Sequence, residues 1–440
     1  MGITAGIVVE YNPFHNGHAY HLEETLRATG AEAVVAVMSG NWLQRGEPAL
    51  VSKRARAEMA LAGGADLVIE LPVAYSTQPA EWFAYGAVSA LHASGIVDAL
   101  CFGSEAGDIG ALYAVAERMS SEPETFKEKL RAQLKSGAPY PLAYAAAVRS
   151  LVPNTDADAG SLLSQPNNSL GYHYILSLLR LGSRIKPYTI QRIKAGYAQE
   201  HITDESIASA TAIRKALFSK EAADSKEALR GIAAFVPKAT LDIMIRECEA
   251  GKGPVHWESY RIPLLHRLLT ATPEQLAAFR EVTEGLEHRI KKALSAAARP
   301  VTVDSLLEAL KTKRYTRTKL QRMLTSIYLE HRKDALTADV LRQGVPYLRV
   351  LGFSERGRPL LKKMKEKASV PVLTNVGREH LHPMLQLDVA ATAAYSLAYT
   401  ASTPEHWFED YYASPVRRSG AAGAESEAES GLPEPRTAED

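Results

Sequence analysis

Two histidines three residues apart, His15 and His18, frame the run His15-Asn16-Gly17-His18. Residues at that spacing share one face of a helical turn, so two imidazoles can offer hydrogen-bond donors to a single ligand. Such donors stabilise the charge that gathers on a departing pyrophosphate. The surroundings suit this chemistry. Ile3 to Val9 is a short apolar run that reads as a buried strand ending at about Glu10. The turn Tyr11-Asn12-Pro13-Phe14 follows, and Ala19 to Thr29 reads as a helix with Leu22 and Leu26 four apart. A helix N-terminus presents backbone N–H groups and the positive end of a dipole to phosphate. Gly17 removes a side chain where backbone and nucleotide must approach closely. Histidines that merely cap a helix are the competing reading, and the strand-turn-helix context argues against it.

The elements that must position this turn alternate. Ala33–Met38, Leu67–Leu71 and Ala99–Phe102 read as buried strands, Arg54–Ala62 and Glu81–Ser94 as helices, and Lys186–Ile193 as a further strand. Strands alternating with helices predict an α/β fold, a Rossmann-like parallel sheet of the doubly wound type. Beyond Ala212 the apolar spacing turns helical, at Ile213–Phe218, Pro263–Leu269, Pro273–Ala298 and Val303–Tyr328. A short β element returns at Val345–Leu351 and Val370–Thr374. The expected organisation is a nucleotide-binding domain over 1–212, a mainly helical domain over 213–414 and a disordered tail over 415–440. The tail, rich in Gly, Ala, Ser, Glu and Pro, has too little apolar surface to offset the entropy of ordering.

The bulk properties exclude several classes. A net charge of +1 over 440 residues leaves no global field, so any nucleic-acid surface must be local. Cys101 and Cys248 make neither a disulfide framework nor a metal-ligand spacing. The apolar run at Ile7–Val9 is too short for a signal peptide, and no stretch is long and apolar enough to span a bilayer. Gly6 stands where a myristoylated N-terminus needs Ser or Thr. A cytoplasmic protein is expected. Gly251-Lys252-Gly253 lacks the spacing of a phosphate-binding P-loop, and no protein metal site is expected.

The His15–His18 segment resembles the HxGH signature of the nucleotidyltransferase superfamily. The resemblance sharpens over an ordered set: EYNPFHNGH from Glu10, MSGNWLQRGEPALVSKRARAEMA from Met38, DLVIELP from Asp66, PNNSLGYHY from Pro166, RIKAGY from Arg192 and PYLRVLGFSERGRPLL from Pro346. Together these are similar to the bacterial tRNA(Met) cytidine acetate ligase family, over nearly the whole chain to about His406. The resemblance implies a reaction in two steps. Acetate and ATP would give acetyl-adenylate and pyrophosphate. The acetyl group would then pass to the wobble cytidine of elongator tRNA(Met) as N4-acetylcytidine, with no acetyl-coenzyme A. It implies His15 and His18 as catalytic residues and Mg²⁺ arriving with ATP. It places ATP against the strand end and helix start, namely Ile7, Val8, Val9, Glu10, Tyr11, Asn12, Pro13, Phe14, His15, Asn16, Gly17, His18, Ala19 and Tyr20, together with Gly103, Asn167 and Arg192. One departure is Ser52, where the family pattern leads one to expect Asp before Lys53.

The residues themselves leave alternatives beside these implications. Gly103 follows a strand end, where such sheets bind ligands, but could be a plain turn glycine. Asn167 and Asn168 precede a helical run and could serve as an N-cap. Arg192 suits bidentate phosphate contact or a surface position. Ser209, Thr211 and Arg214 partly match a second phosphate motif, with Ala210 in place of a hydroxyl residue, and Ser209 could equally be an N-cap. Lys311, Lys313, Arg314, Arg317, Lys319 and Arg322 interleave with Tyr315, which fits RNA phosphate contact and base stacking, or a solvated helix face. Lys362, Lys363, Lys365 and Lys367 are interrupted by Glu366 and have no aromatic neighbour. Two other function classes remain: a small-molecule adenylyltransferase or other acetate ligase, and a non-catalytic RNA-binding protein. The long helical part argues against the first, and the intact His15, Gly17 and His18 against the second.

Overall fold

The computed structural model describes residues 2–121, 123–150, 159–192, 208–218, 225–296, 300–377 and 381–418. Its centre is a sheet in the order β5-β4-β1-β2-β3-β6-β7, with β8 paired to β6. The strands are β1 (Thr4–Val9), β2 (Ala33–Ser39), β3 (Leu67–Leu71), β4 (Ala99–Ser104), β5 (Lys186–Gln191), β6 (Leu348–Ser354), β7 (Val372–Leu373) and β8 (Val416–Arg418). β3 is buried along its whole length, and β2 along all of it but Ala33. That is the pattern of parallel strands covered on both faces, and it is why they read as unbroken apolar runs. The chain runs from β1 outward through β2 to β3, then returns to the other side of β1 for β4 and β5. Strand order therefore reverses between β1 and β4. Side chains beyond the carboxyl ends of those two strands line a crevice, the usual ligand position in such sheets.

The first five strands are parallel, as expected. The C-terminal β element is not a separate feature. β6 lies antiparallel beside β3, with Leu67 opposite Phe353 and Glu70 opposite Arg349. Val416–Arg418, expected in the tail, instead pair with β6. Residues 419–440, the rest of the expected tail, and Ile193 to Tyr197 of the RIKAGY run lie outside the described residues.

Two long helices expected in the C-terminal part are each broken. Pro273–Ala298 divides into Pro273–Ala277 and Leu286–Ala296. Between them Glu281, Glu284 and Gly285 have φ of 63°, 59° and 83°, which no helix accommodates. Val303–Tyr328 divides into Val303–Leu310 and Arg317–Tyr328, the second capped by Thr316. Apolar periodicity carries across both breaks because the paired helices bury against one core. That core includes Trp42 from the loop after β2 and Val73 from the short helix after β3. Contact with the sheet region is close at Gly46. Its φ is 71°, and an added Cβ would lie 2.2 Å from the backbone N of Arg322, so only glycine fits.

Helix α1 (Asn16–Thr29) follows β1, and helix α2 (Lys53–Ala62) follows β2. Ser52 caps α2, its hydroxyl accepting the Ala55 N–H at 3.2 Å. Ser and Asp are comparable N-caps, so the departure at this position preserves the local structure.

The first side chain of α2, Lys53, enters a sealed ion network. Its Nζ donates to Glu70 at 2.8 Å and to Asp410 at 3.0 Å. Arg349 reaches Asp410 at 2.8 Å and Glu70 at 3.2 Å. All four are buried. Burial by itself would raise the Asp410 carboxyl, but Lys53 and Arg349 outweigh it and hold it well below the usual range. A group depressed in this way stabilises the fold above its unfolded pKa, and that contribution is lost as pH falls towards its folded value. Lys53→Met keeps the volume and removes the charge, leaving two carboxylates with one cation. It is expected to cost about 3–5 kcal/mol, read as a lower urea midpoint with unchanged slope.

Candidate functional site

At the β1–β4 switch point the fold encloses a cavity of about 340 Å³. One wall is apolar, from Phe102 at the end of β4, Ile190 at the end of β5, and Leu170 and Tyr174 of the helix Pro166–Arg180. Gly103 and Arg192 stand at its rim, where a Cβ on Gly103 would come within 3.3 Å of the Arg192 side chain. The floor is the start of α1 with Val8, Val9, Glu10, Tyr11 and Asn12. The far side carries Arg45, Glu47, Ser209, Thr211 and Arg214.

The histidines are fixed by the helix start itself. His15 is the N-cap of α1, its Nδ1 accepting the Gly17 N–H at 3.1 Å. His18 reaches back, its Nδ1 accepting the His15 N–H at 3.2 Å. The two rings stack with centroids 3.7 Å apart. A neutral imidazole whose Nδ1 accepts must carry its proton on Nε2. Each ring therefore has one defined donor, and both line the cavity. The capping reading and the chemical reading describe the same geometry. The expectation for the main chain changes, because the Gly17 N–H is taken by the imidazole rather than left for a ligand. Burial, with Arg192 and Arg214 nearby, pushes His15 down to about 3. Burial and the neighbouring His15 lower His18, and burial with Arg192 brings His21 to about 4.

Of the residues expected against ATP, Val8 to Asn12, His15, Gly17, His18, Tyr20, Gly103, Asn167 and Arg192 line the cavity. Ile7, Pro13, Phe14, Asn16 and Ala19 do not. Ile7 and Phe14 are core residues, the Phe14 ring 4.7 Å from that of Tyr11. Asn16 Nδ2 donates to the Ala234 carbonyl at 3.0 Å. Asn167 is held by a residue the sequence reading passed over. Glu105 accepts its Nδ2 at 2.6 Å and its N–H at 3.1 Å, and the Asn168 N–H at 2.7 Å. That carboxylate, rather than the asparagines, caps the helix.

Ser209 both caps its helix, through the Ala212 N–H at 3.1 Å, and lines the cavity. Arg214 donates to the Asn12 carbonyl at 3.1 Å and pairs with Glu47 at 3.2 Å. Arg45, Glu47 and His21 were missed. His21 continues the three-residue spacing of His15 and His18 and was visible by that signal. Arg45 and Glu47 sit in the loop after β2, beside β1, and only the rule about strand carboxyl ends points to them.

The basic run is mostly paired. Arg314 and Tyr315 both bind Glu284, Arg317 binds Asp304 and Glu308, and Lys319 meets Glu281 at 2.9 Å. Arg322 contacts Glu281 at 3.5 Å and is only 12% exposed. The reading of this run as a solvated helix face therefore holds only in part. Arg314 and Arg317 are exposed, whereas Lys319 and Arg322 are partly buried beside the partly buried Glu281. Neutralising Arg314 and Arg317 should shift stability by less than about 1 kcal/mol. Neutralising Lys319 and Arg322 strands Glu281 and should cost on the order of 1–3 kcal/mol, both read by urea unfolding.

Among the described residues no helix is long and apolar enough to cross a membrane. The model of the HIGH nucleotidyl transferase family matches residues 1–409. The tRNA(Met) cytidine acetate ligase of Acetivibrio thermocellus is 41% identical over 400 residues, 90% of this chain and 94% of that protein. The protein of the same name from Lysinibacillus sphaericus is 41% identical, over 94% of this chain and 99% of its own. The crystal structure of Thermotoga maritima TmcAL bound with alpha-thio ATP superposes with a TM-score of 0.84 at 32% identity, covering 95% of this chain and all of that one.

The depressed histidines have a consequence for stability. A base whose folded pKa lies below its unfolded value costs stability once pH falls below the unfolded value, here 6.5. For His15, which folds at about 3, the loss should reach roughly 2 kcal/mol at pH 5. His15→Asn keeps an N-cap acceptor and removes the titration. Its urea midpoint should therefore fall less steeply between about pH 7 and 5 than that of the unaltered protein.

Proposed function

The chain belongs to the tRNA(Met) cytidine acetate ligase family within the HIGH nucleotidyl transferases, and from that premise we propose how its cavity performs the reaction. ATP activates acetate as acetyl-adenylate, and the acetyl group passes to the wobble cytidine of elongator tRNA(Met). The adenine lies against Phe102, Leu170, Tyr174 and Ile190, with Asn167 at its edge. The triphosphate runs past the start of α1 towards Arg214. The Nε2–H donors of His15 and His18, with the guanidiniums of Arg192 and Arg214, bind the phosphate oxygens. The acetate carboxylate attacks the α-phosphorus, and the same donors stabilise the charge on the leaving pyrophosphate. No proton need be moved in this step. A mixed anhydride makes the acetyl carbon electrophilic and AMP a good leaving group.

The observation that carries this reading is the capped His15–His18 pair, its two donors set beside two arginines in a cavity at the β1–β4 switch point. Mg²⁺ is assigned to the phosphates of the entering ATP. Among the described residues no group of three or more His, Cys, Asp or Glu is placed to hold a metal, and phosphate-bound Mg²⁺ takes most of its ligands from phosphate and water. The helical part over 213–414 is the proposed tRNA-binding region, and the activity belongs in the cytoplasm.

His15→Ala and His18→Ala should each lower acetate-dependent pyrophosphate exchange into ATP by roughly 10²–10³ while the protein stays folded, the size of one lost transition-state donor. Wild-type exchange in a folded double variant would refute the assignment. Transfer of acetyl to tRNA should require acetate and ATP, and activity with acetyl-coenzyme A alone would contradict the adenylate route.

A further inference from the structure

The second half of the reaction has a requirement the first lacks. When an exocyclic amine attacks the acetyl carbon, the N–C bond forms and the bond from that carbon to the phosphate oxygen breaks. AMP leaves with that electron pair, and one proton of the attacking nitrogen must go to a base. His15 and His18 are poorly placed for this, because each Nδ1 is occupied by a backbone N–H and each Nε2 already carries the ring proton. The described lining of the cavity has two carboxylates, Glu10 and Glu47. Glu47 is engaged with Arg214 at 3.2 Å.

Glu10 is set differently. It stands immediately past β1 and is fixed at both ends. Its carbonyl accepts the buried Arg56 at 2.6 Å, and its Oε1 accepts the Gln44 N–H at 2.7 Å. Gln44 is itself anchored to the Gln78 carbonyl at 3.2 Å. The other carboxylate oxygen has no protein partner among the described residues. From these contacts, and resting on the function proposed above, we propose that Glu10 is the general base of acyl transfer. It takes the proton from the exocyclic amine of the acceptor nucleobase as that amine attacks the acetyl-adenylate.

The surroundings strengthen this carboxylate as a base. Burial raises the Glu10 carboxyl, the Gln44 N–H opposes this, Glu47 raises it further, and Arg45 and Arg214 lower it. The net direction is upward. The neutral His15, His18 and His21 line the same cavity from α1, and Arg56 from α2 hydrogen-bonds the Glu10 main chain and interacts electrostatically with its carboxylate. Above its pKa Glu10 is ionised and accepts a proton. Below it the acid form cannot, so transfer should rise with pH through a value above the ordinary one for a glutamate.

The test isolates the second half-reaction by supplying synthetic acetyl-adenylate to the full-length protein with tRNA, and measuring single-turnover acetyl transfer against pH. Glu10→Gln keeps an acceptor for the Gln44 N–H and removes the base. It should transfer slower by roughly 10²–10⁴ and lose the rising limb. Glu10→Asp should keep a rising limb at reduced rate, which a merely structural role would not produce. Transfer by Glu10→Gln within a few-fold of the unaltered protein, or with the same rising limb, overturns the proposal. Failure of the reading on which it rests looks different, because the unaltered protein would then transfer nothing from acetyl-adenylate.

Discussion

Four ionised side chains sealed from water, Lys53, Glu70, Arg349 and Asp410, meet where segments more than three hundred residues apart in sequence come together. Burying any one alone would cost several kcal/mol, so each is tolerable only with the others in place. The rest of the molecule follows from satisfying them. Arg349 can reach Glu70 only if β6 lies beside β3, and Asp410 can reach both cations only if the chain returns past the helix Pro383–Ser396, where Thr392 donates to it at 2.9 Å. The C-terminal segment is thereby built into the sheet that carries the cavity.

The network also continues towards the chemistry. The Glu70 carboxylate lies against Gly40, and the Lys53 N–H donates to Asn41 Oδ1 at 2.7 Å. These contacts begin the loop that brings Gln44 to Glu10 and places Arg45 and Glu47 in the cavity. Arg56, one helical turn along α2, is wholly buried and donates to the carbonyls of Glu10, Ser39 and Gly40. Burial pulls its guanidinium down to about 10, still well above neutrality, so it remains a cation. It satisfies carbonyls that the ends of β1 and β2 would otherwise leave unpaired. Loop, strand ends and helix start are thus held by polar contacts that have no solvent to compete with them. That is what keeps donors and carboxylates at fixed separations.

At the helix start, stability and the proposed chemistry use the same atoms. The imidazoles satisfy N–H groups that every helix leaves open, and doing so defines which ring nitrogen carries the proton. Burial above all, with Arg192 close to both rings and Arg214 close to His15, keeps the rings neutral, so they donate without adding charge to an already cationic cavity. An incoming polyanion would reverse that balance.

By itself the sequence determined the features that depend on near neighbours. Buried strands β1 to β4 were legible because parallel strands covered on both faces must be continuously apolar. His15 and His18 were legible because a three-residue spacing after such a strand has few other uses. Asn167 and Arg192 came from their place in ordered motifs and Gly103 from its position past a strand end, while Ser209, Thr211 and Arg214 stayed ambiguous because a helix cap and a phosphate contact use the same residues. Only the tertiary structure decided that β6 pairs antiparallel with β3, that Glu105 caps the helix carrying Asn167, and that Arg45 and Glu47 reach the cavity. It also decided that Arg322 is inserted rather than exposed. Each of these turns on which distant charge or carbonyl a side chain meets. Periodicity reports which face of an element is buried, but the partner of a buried charge is chosen by packing between segments with no sequence relation to one another.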